Sequence, residues 1–162
     1  MSELAEFTKK WCHDDYSPEA VNQDQLDAAE LQLKVHFPLD YRRQILEVGL
    51  PSPTLALLSA IADRDIYLHD LSGLYQPEEI VSFAKSWREI GMPDYLIAFG
   101  YDSGGSQFCF DERELRSGRV AQSTIYHWDH DFDETEKVGD SFAAWIASYL
   151  GDWSDGIGAA DF

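Results

Sequence analysis

The sequence has 162 residues, of which 44% are hydrophobic and 14% aromatic, and a formal net charge of -18. This length favours one domain with a real core, and this composition excludes a disordered chain. Thirty acidic residues against twelve basic ones argue against a nucleic-acid partner, because binding the phosphate backbone needs Lys and Arg to displace counterions. The charge suits a basic partner, although acidic composition also serves solubility alone.

The cysteines and the first residues indicate a reducing compartment. Cys12 and Cys109 lie far apart and form no CxxC pair, so free thiols are the simplest interpretation. The segment Met1–Phe7 carries acids where a signal peptide has bases and an apolar run, and no apolar stretch reaches the ~18 residues of a membrane span. We expect a cytoplasmic protein that binds neither membrane nor cofactor.

The first fifty residues predict three helices. Apolar residues at helical spacing mark one from Glu3 to about Cys12. Asn22 is the expected N-cap of a second helix ending near Val35, with Gln25 as its capping-box partner. A third helix follows Pro38 and stops at Gly49.

The middle of the chain is mixed. Residues 54–62 fit a buried strand or a helix equally well, and residues 66–69 predict a short strand. Pro77, followed by two glutamates, predicts a helix start, because proline suits the first turn and acids suit the positive end of the dipole. Gly91 and Pro93 end that helix.

The second half predicts strands and a closing helix. Tyr95–Gly100 and Ser106–Asp111 form a hairpin through a glycine-rich turn, and Arg119–His127 is a third strand. An acidic loop follows. Ser141 then opens a helix with an apolar stripe formed by Phe142, Trp145, Ile146, Tyr149 and Leu150.

This order of elements predicts an α+β fold. Its core is a twisted, mainly antiparallel sheet flanked by N-terminal, middle and C-terminal helices. Residues 1–150 form a single domain, and residues 151–162, which lack periodicity, form a loosely ordered tail.

Two segments imitate catalytic or metal sites. Asp102–Gly105 resembles the nucleophile loop of trypsin-like proteases, but the flanking residues do not fit, and a hairpin turn is the better interpretation. His127, Asp129 and Asp131 share one face of a strand and have metal-ligand chemistry. A calcium loop would need glycine where Glu134 stands. We therefore predict no catalytic residue and no metal, and interpret this edge as solvated or partner-facing.

Several segments together resemble the SUKH superfamily, which includes fungal Smi/Knr cell-wall regulators, Syd-like proteins and many bacterial immunity proteins. Leu33–Gly49 resembles the opening helix pair of that superfamily, with Phe37 where leucine is usual. Tyr95–Asp111 resembles its central hairpin, and Asp140–Tyr149 its closing helix. The likeness covers roughly Leu26–Leu150.

The resemblance implies a non-catalytic protein-binding module. Our first hypothesis is an immunity protein that binds and neutralises a basic toxin, most readily a nuclease, with acids standing in for the phosphates. A regulatory scaffold, for example in cell-wall synthesis, is the alternative, and a metal-dependent hydrolase centred on His127 and Asp129 comes last. Trp128 anchors the acidic loop in the core or is an exposed interface aromatic; both interpretations stay open. The oligomeric state is open too. The predicted partner-binding residues are Tyr101, Asp102, Trp128, Asp129, Asp131, Asp133 and Glu134.

Overall fold

The computed structural model describes residues 1–161 as six α-helices, a five-stranded sheet and short 3-10 turns. The helices are α1 Glu3–Trp11, α2 Gln23–Leu33, α3 Leu39–Val48, α4 Ala56–Arg64, α5 Pro77–Glu89 and α6 Phe142–Ala147. The strands are β1 Gly73–Leu74, β2 Leu96–Tyr101, β3 Gln107–Asp111, β4 Ile125–Asp129 and β5 Glu134–Gly139. Within the described residues, no helix is both long enough and apolar enough to cross a membrane.

The five strands lie side by side in sequence order, and every pair is antiparallel. Gln107 of β3 pairs with Tyr101 of β2 on one side and with Trp128 of β4 on the other. Trp128 in turn pairs with Thr135 of β5. The turns that join β2 to β3 and β4 to β5 therefore lie at the same end of the sheet. The predicted α+β fold with an antiparallel sheet is confirmed.

One face of the sheet is buried beneath α3 and α6, and α1 packs against these two helices. Phe99 stacks on Phe110, with 4.2 Å between their ring centroids. Tyr41 of α3 and Trp145 of α6 meet the Phe99 ring edge-on at 5.8 and 5.5 Å. Trp145 is 1% exposed, which confirms that the apolar stripe of the closing helix faces the core.

The opposite face of the sheet carries α5. Tyr75 lies 4.7 Å from Phe83 of α5, and Trp87 of the same helix meets Trp128 edge-on at 5.8 Å. Trp128 is 1% exposed, and its indole N–H donates to Asp133 Oδ1 at 2.8 Å. Of the two interpretations left open for Trp128, the structure therefore supports the core anchor.

The predicted helix starts are borne out by their caps. Asn22 and Gln25 form the reciprocal capping box of α2. The Ser141 hydroxyl accepts from the Ala144 amide at the start of α6, and Pro77 occupies the first turn of α5. The two side-chain caps satisfy backbone N–H groups that have no partner inside the helix. Pro77 has no N–H group and therefore needs no such partner in the first turn.

A buried ionic network that the sequence did not indicate joins α2 to the chain before β4. Glu30 is 7% exposed, and its carboxylate accepts from the guanidinium groups of Arg42 and Arg119 at 2.7–3.0 Å. The Phe37 amide donates to the same carboxylate at 2.6 Å. A buried charge is tolerated only when it is paired and hydrogen-bonded in this way.

Three sequence expectations about strands are wrong or incomplete. Residues 66–69 form no strand; the chain pairs with β2 only at Gly73–Leu74. The third predicted strand begins at Ile125, because the Leu39 amide is instead bonded to the Val120 carbonyl and holds that stretch as a loop. The end of the acidic loop, from Glu134 onward, is part of β5; its two glutamates, Glu134 and Glu136, hid the strand, since glutamate is depleted in strands.

The end of the described chain packs against α1, in contrast to the loose tail expected from the sequence. Trp153 stacks on Trp11, with centroids 6.1 Å apart and planes 18° from parallel. The Lys10 ammonium donates to the carbonyl of Ser154, a residue that is fully buried. These contacts link residues some 140 positions apart, so no local sequence pattern could indicate them.

Candidate functional site

Three segments meet at one end of the sheet: residues 65–72, the β2–β3 turn and the β4–β5 turn. Asp70 accepts from the Ser103 hydroxyl at 2.9 Å, which ties the first segment to the β2–β3 turn. Ser106 Oγ lies 3.2 Å from His130 Nδ1, which ties the two turns together. The structure thus places the β2–β3 turn next to the acidic loop, both of which the sequence had indicated, and adds residues 65–72.

Asp102 shapes the β2–β3 turn. Its Oδ1 accepts from the backbone amides of Gly104 and Ser106 at 3.0 and 2.9 Å, and its Oδ2 lies 2.9 Å from His127 Nε2. Burial alone would raise the pKa of this carboxyl. The hydrogen bonds from His127 and from the Ser106 backbone outweigh burial and hold the pKa of Asp102 below its usual value. Both oxygens are therefore engaged within the chain.

His127 and His69 form a stacked pair. Their ring centroids are 3.6 Å apart, and their planes are 2° from parallel. His127 is 3% exposed and is held by Asp102, whereas His69 Nε2 lies 2.5 Å from Glu136 Oε1. Each imidazole thus has its own carboxylate, and the stack fixes residues 65–72 against β4.

Glu136 also accepts from the Tyr67 hydroxyl, at 2.8 and 3.0 Å to its two oxygens. Burial would raise the pKa of Glu136, but hydrogen bonds from His69 and Tyr67 lower it below its ordinary value. Donation to Glu136 raises the pKa of the Tyr67 phenol. Glu136 is thereby held as an ionised, oriented carboxylate beside an exposed aromatic ring.

The donor atoms at this end of the sheet do not form the metal site considered from the sequence. His69, Asp102 and His127 offer ligand atoms within 4.8 Å of one another, and so do Asp129, His130 and Asp131. Ring nitrogen lone pairs lie in the plane of each ring. The planes of His69 and His127 are nearly parallel and 3.6 Å apart, so no ion can lie in both planes as the rings stand. The three residues considered from the sequence do not come together, because His127 belongs to the first group and Asp129 and Asp131 belong to the second.

The β4–β5 turn carries an exposed acidic surface. Asp129 Oδ1 accepts from the amides of Asp131 and Phe132, an arrangement that closes the turn. Asp133 adopts a left-handed backbone with φ of 51°, a conformation that Asp and Asn tolerate. Asp131, Asp133 and Glu134 are exposed.

Two large aromatic side chains stand out from this surface. Tyr67 is 83% exposed and Phe132 is 75% exposed. A cleft of about 300 Å³ runs between the segments and is lined by Tyr67, His69, His127, Asp129, Glu134, Thr135 and Glu136. We call the surface formed by the rim of this cleft and the adjoining β4–β5 turn the acidic patch; it consists of Tyr67, Asp129, Asp131, Phe132, Glu134 and Glu136.

Three of the predicted partner-binding residues lie apart from the acidic patch. Trp128 is buried in the core, and Asp102 is engaged in the turn, so neither is free for a partner. Tyr101 shares a face of the sheet with Trp128, opposite the face of His127, because side chains alternate along strands. Its ring lies over Gly73 and 5.2 Å from Tyr75, in a separate cleft beside α5. Asp133 is exposed but is held by the Trp128 indole.

Sequence reasoning missed Tyr67, His69 and Glu136. Glu136 could have been found if β5 had been recognised, because it would then face His127 across the strand pair. No sequence signal places Tyr67 and His69 there, since they contact Glu136 from more than sixty positions away. Ser103, the residue at the imitation nucleophile position, donates to Asp70 instead of to a histidine.

Comparison with known proteins gives one family. The family model described as SMI1 / KNR4 family (SUKH-1) matches residues 20–148, which cover α2 to α6 and the whole sheet. A search of the curated proteins finds no match.

Proposed function

We propose that this chain, which belongs to the SMI1/KNR4 family (SUKH-1), binds a basic toxin and neutralises it by covering its active surface. A nuclease is the toxin class that fits best, because the carboxylates of the acidic patch can occupy a site made for phosphates. The chain itself turns nothing over. The superfamily resemblance to bacterial immunity proteins motivates the proposal, and the acidic patch supplies the physical reason for it.

The observation that carries the proposal is the acidic patch. Exposed aromatic residues are enriched among the side chains that dominate protein interfaces, and Tyr67 and Phe132 stand among carboxylates. A net charge of -18 would accelerate the approach of a basic partner and orient it. The patch thus combines exposed aromatic rings, which can anchor a partner, with carboxylates, which can attract it. A surface that is acidic only for solubility does not need the exposed aromatic rings.

A binding role without turnover agrees with the state of the histidines. The family is generally non-catalytic. His127 is buried and bonded to Asp102, and within residues 1–161 no hydroxyl or thiol is hydrogen-bonded to its ring. A side-chain nucleophile activated by His127 would have to lie within hydrogen-bond reach of its free nitrogen. The stacked pair serves instead to hold Tyr67 and Glu136 in place.

The test begins with capture of the partner from the native strain by the tagged wild-type chain, followed by purification of the captured protein. Its binding is then measured against a variant in which Asp129, Asp131 and Asp133 are replaced by Asn. Asparagine keeps the Oδ1 acceptors that close the turn and hold the Trp128 indole. The loss of three charges is thus separated from a loss of fold.

A matched control removes the same charge elsewhere. Asp14, Asp15 and Asp155 are exposed and make no hydrogen bond to either hairpin turn. At low salt we expect the hairpin variant to associate about tenfold or more slowly than wild type, and the control to stay close to wild type.

Three results would contradict the proposal: equal binding by all three proteins, binding that does not weaken as salt rises, or capture of an acidic partner. Capture of a cell-envelope enzyme instead of a toxin would favour the alternative function, a regulatory scaffold.

A further inference from the structure

The acidic patch borders an open sheet edge. β5 is the last strand in the sheet and pairs only with β4. Within residues 1–161, no other backbone or side-chain group is hydrogen-bonded to the backbone of residues 134–139. An edge with unpaired N–H and C=O groups is a template for another strand unless it is blocked.

The register shows which groups are open. Alternate residues in an antiparallel ladder direct their N–H and C=O to opposite neighbours. The Tyr101 carbonyl accepts from the Ser72 amide on the β1 side. The backbone N–H and C=O groups of Gln107, which pairs with Tyr101, therefore point away from β2 and toward β4. In the next strand pairs, the backbone N–H and C=O groups of Trp128 point toward β3, and those of Glu136 point toward β4.

Thr135 and Lys137 therefore direct their backbone N–H and C=O groups away from the sheet. Both residues are exposed, so solvent and partners can reach these groups. They are two residues apart, the spacing at which an incoming strand would form its hydrogen bonds.

The side chains along this edge define what would fit. Glu134 and Glu136 lie on one face of β5, next to Tyr67, whereas Thr135 and Lys137 lie on the other. Opposite charges across neighbouring strands are stabilising, and like charges are destabilising. An incoming strand would therefore carry Lys or Arg at alternate positions, above the glutamates, and uncharged residues between them.

We propose that the partner binds by adding an antiparallel strand to β5, with basic side chains at alternate positions facing Glu134 and Glu136. This inference rests on the proposed function and specifies how the basic partner is held. Backbone pairing supplies affinity in this mode of recognition, and the alternating side chains supply specificity.

A second copy of this chain fits the edge poorly. Antiparallel self-pairing centred on Thr135 places Glu134 opposite Glu136, and pairing centred on Glu136 places that residue opposite itself. A register centred on Lys137 sets two lysines face to face. Every such register opposes like charges, which disfavours pairing.

The test uses a nine-residue peptide of alternating lysine and valine, starting and ending with lysine. In the proposed pairing the valine amides face β5 and the lysine amides face solvent. Two forms of the peptide with four backbone N-methyl groups each, one methylated on the four valines and one on the last four lysines, therefore have equal charge and composition but block opposite edges. Binding is followed by NMR, together with hydrogen exchange of the amides of Thr135 and Lys137.

We expect the unmodified and lysine-methylated peptides to protect both amides, and the valine-methylated peptide to bind at least about tenfold more weakly. Thr135→Pro removes an outward N–H and should weaken binding, while Thr135→Val should not. If Thr135→Pro does not fold, the exchange measurement on wild type still decides.

Strand addition is wrong if both methylated peptides bind alike or if neither amide gains protection. If they bind alike but more weakly to the Asp129, Asp131 and Asp133 to Asn variant, the attraction is purely electrostatic. The proposed function then stands and the strand pairing fails.

Discussion

Replacing Trp145 by alanine should remove a large share of the stability of the fold. The indole is 1% exposed and lies between sheet and helix, 4.6 Å from the Phe108 ring and 5.5 Å from the Phe99 ring. It also meets Tyr149 edge-on at 5.8 Å. The surrounding rings belong to different elements and cannot all collapse into the space left behind. Truncating a buried tryptophan costs about 3–5 kcal/mol, against a total stability of about 5–15 kcal/mol.

Urea unfolding followed by circular dichroism measures the free energy of unfolding of both proteins. Trp153→Ala is the matched control, because Trp153 is only partly buried and stacks on Trp11 at the end of the described chain. We expect a clearly smaller loss for that variant. A loss of less than about 1 kcal/mol for Trp145→Ala would refute the claim that α6 closes the core.

Three further predictions concern buried charges and metal. Glu30→Ala should lower the free energy of unfolding by about 3–5 kcal/mol, because it removes the buried carboxylate that Arg42 and Arg119 share and leaves Arg42 with Asp27 alone, and Glu30→Gln should cost less. The pKa of Asp102 is lowered by folding, so its ionised form contributes stability that is complete above the unfolded pKa of about 3.9 and is lost as pH falls through the folded value. Urea unfolding between pH 2.5 and 6 should therefore show the gap between wild type and Asp102→Asn closing on the acid side, and a constant gap would contradict this. Chelation should leave the melting temperature unchanged, because protein carboxylates already pair with both stacked imidazoles; a fall of many degrees would show that a metal stabilises the fold.

Local chemistry explains what could be predicted from the sequence. The capping box of Asn22 and Gln25, the proline start of α5 and the stripe containing Trp145 depend on residues within one or two helical turns of each other. The β2–β3 hairpin is equally local, since the turn and both strands lie within seventeen residues. Together with the order of the elements, these signals were enough for the α+β class.

The candidate site depends on contacts that no local pattern reveals. β5 was missed because its glutamates are poor strand formers, and pairing with β4 overrides that preference. Tyr67 and His69 contact Glu136 only through the tertiary fold, because they lie more than sixty positions away from it in the chain. Without β5, the sequence did not show which residues share a face of the sheet. Tyr101 and Trp128, which lie on the face of α5, were therefore grouped with the residues of the acidic patch.

The most direct test of the central claim is inhibition of the captured partner by the purified chain. The chain is titrated into a fixed amount of partner while cleavage of nucleic acid is measured. Neutralisation through the acidic patch predicts complete inhibition by wild type at one equivalent. It predicts the same for the Asp14, Asp15 and Asp155 control, and a clear loss of inhibition for the Asp129, Asp131 and Asp133 to Asn variant. Inhibition that is unchanged in the hairpin variant, or a partner whose activity wild type leaves untouched, would contradict the account.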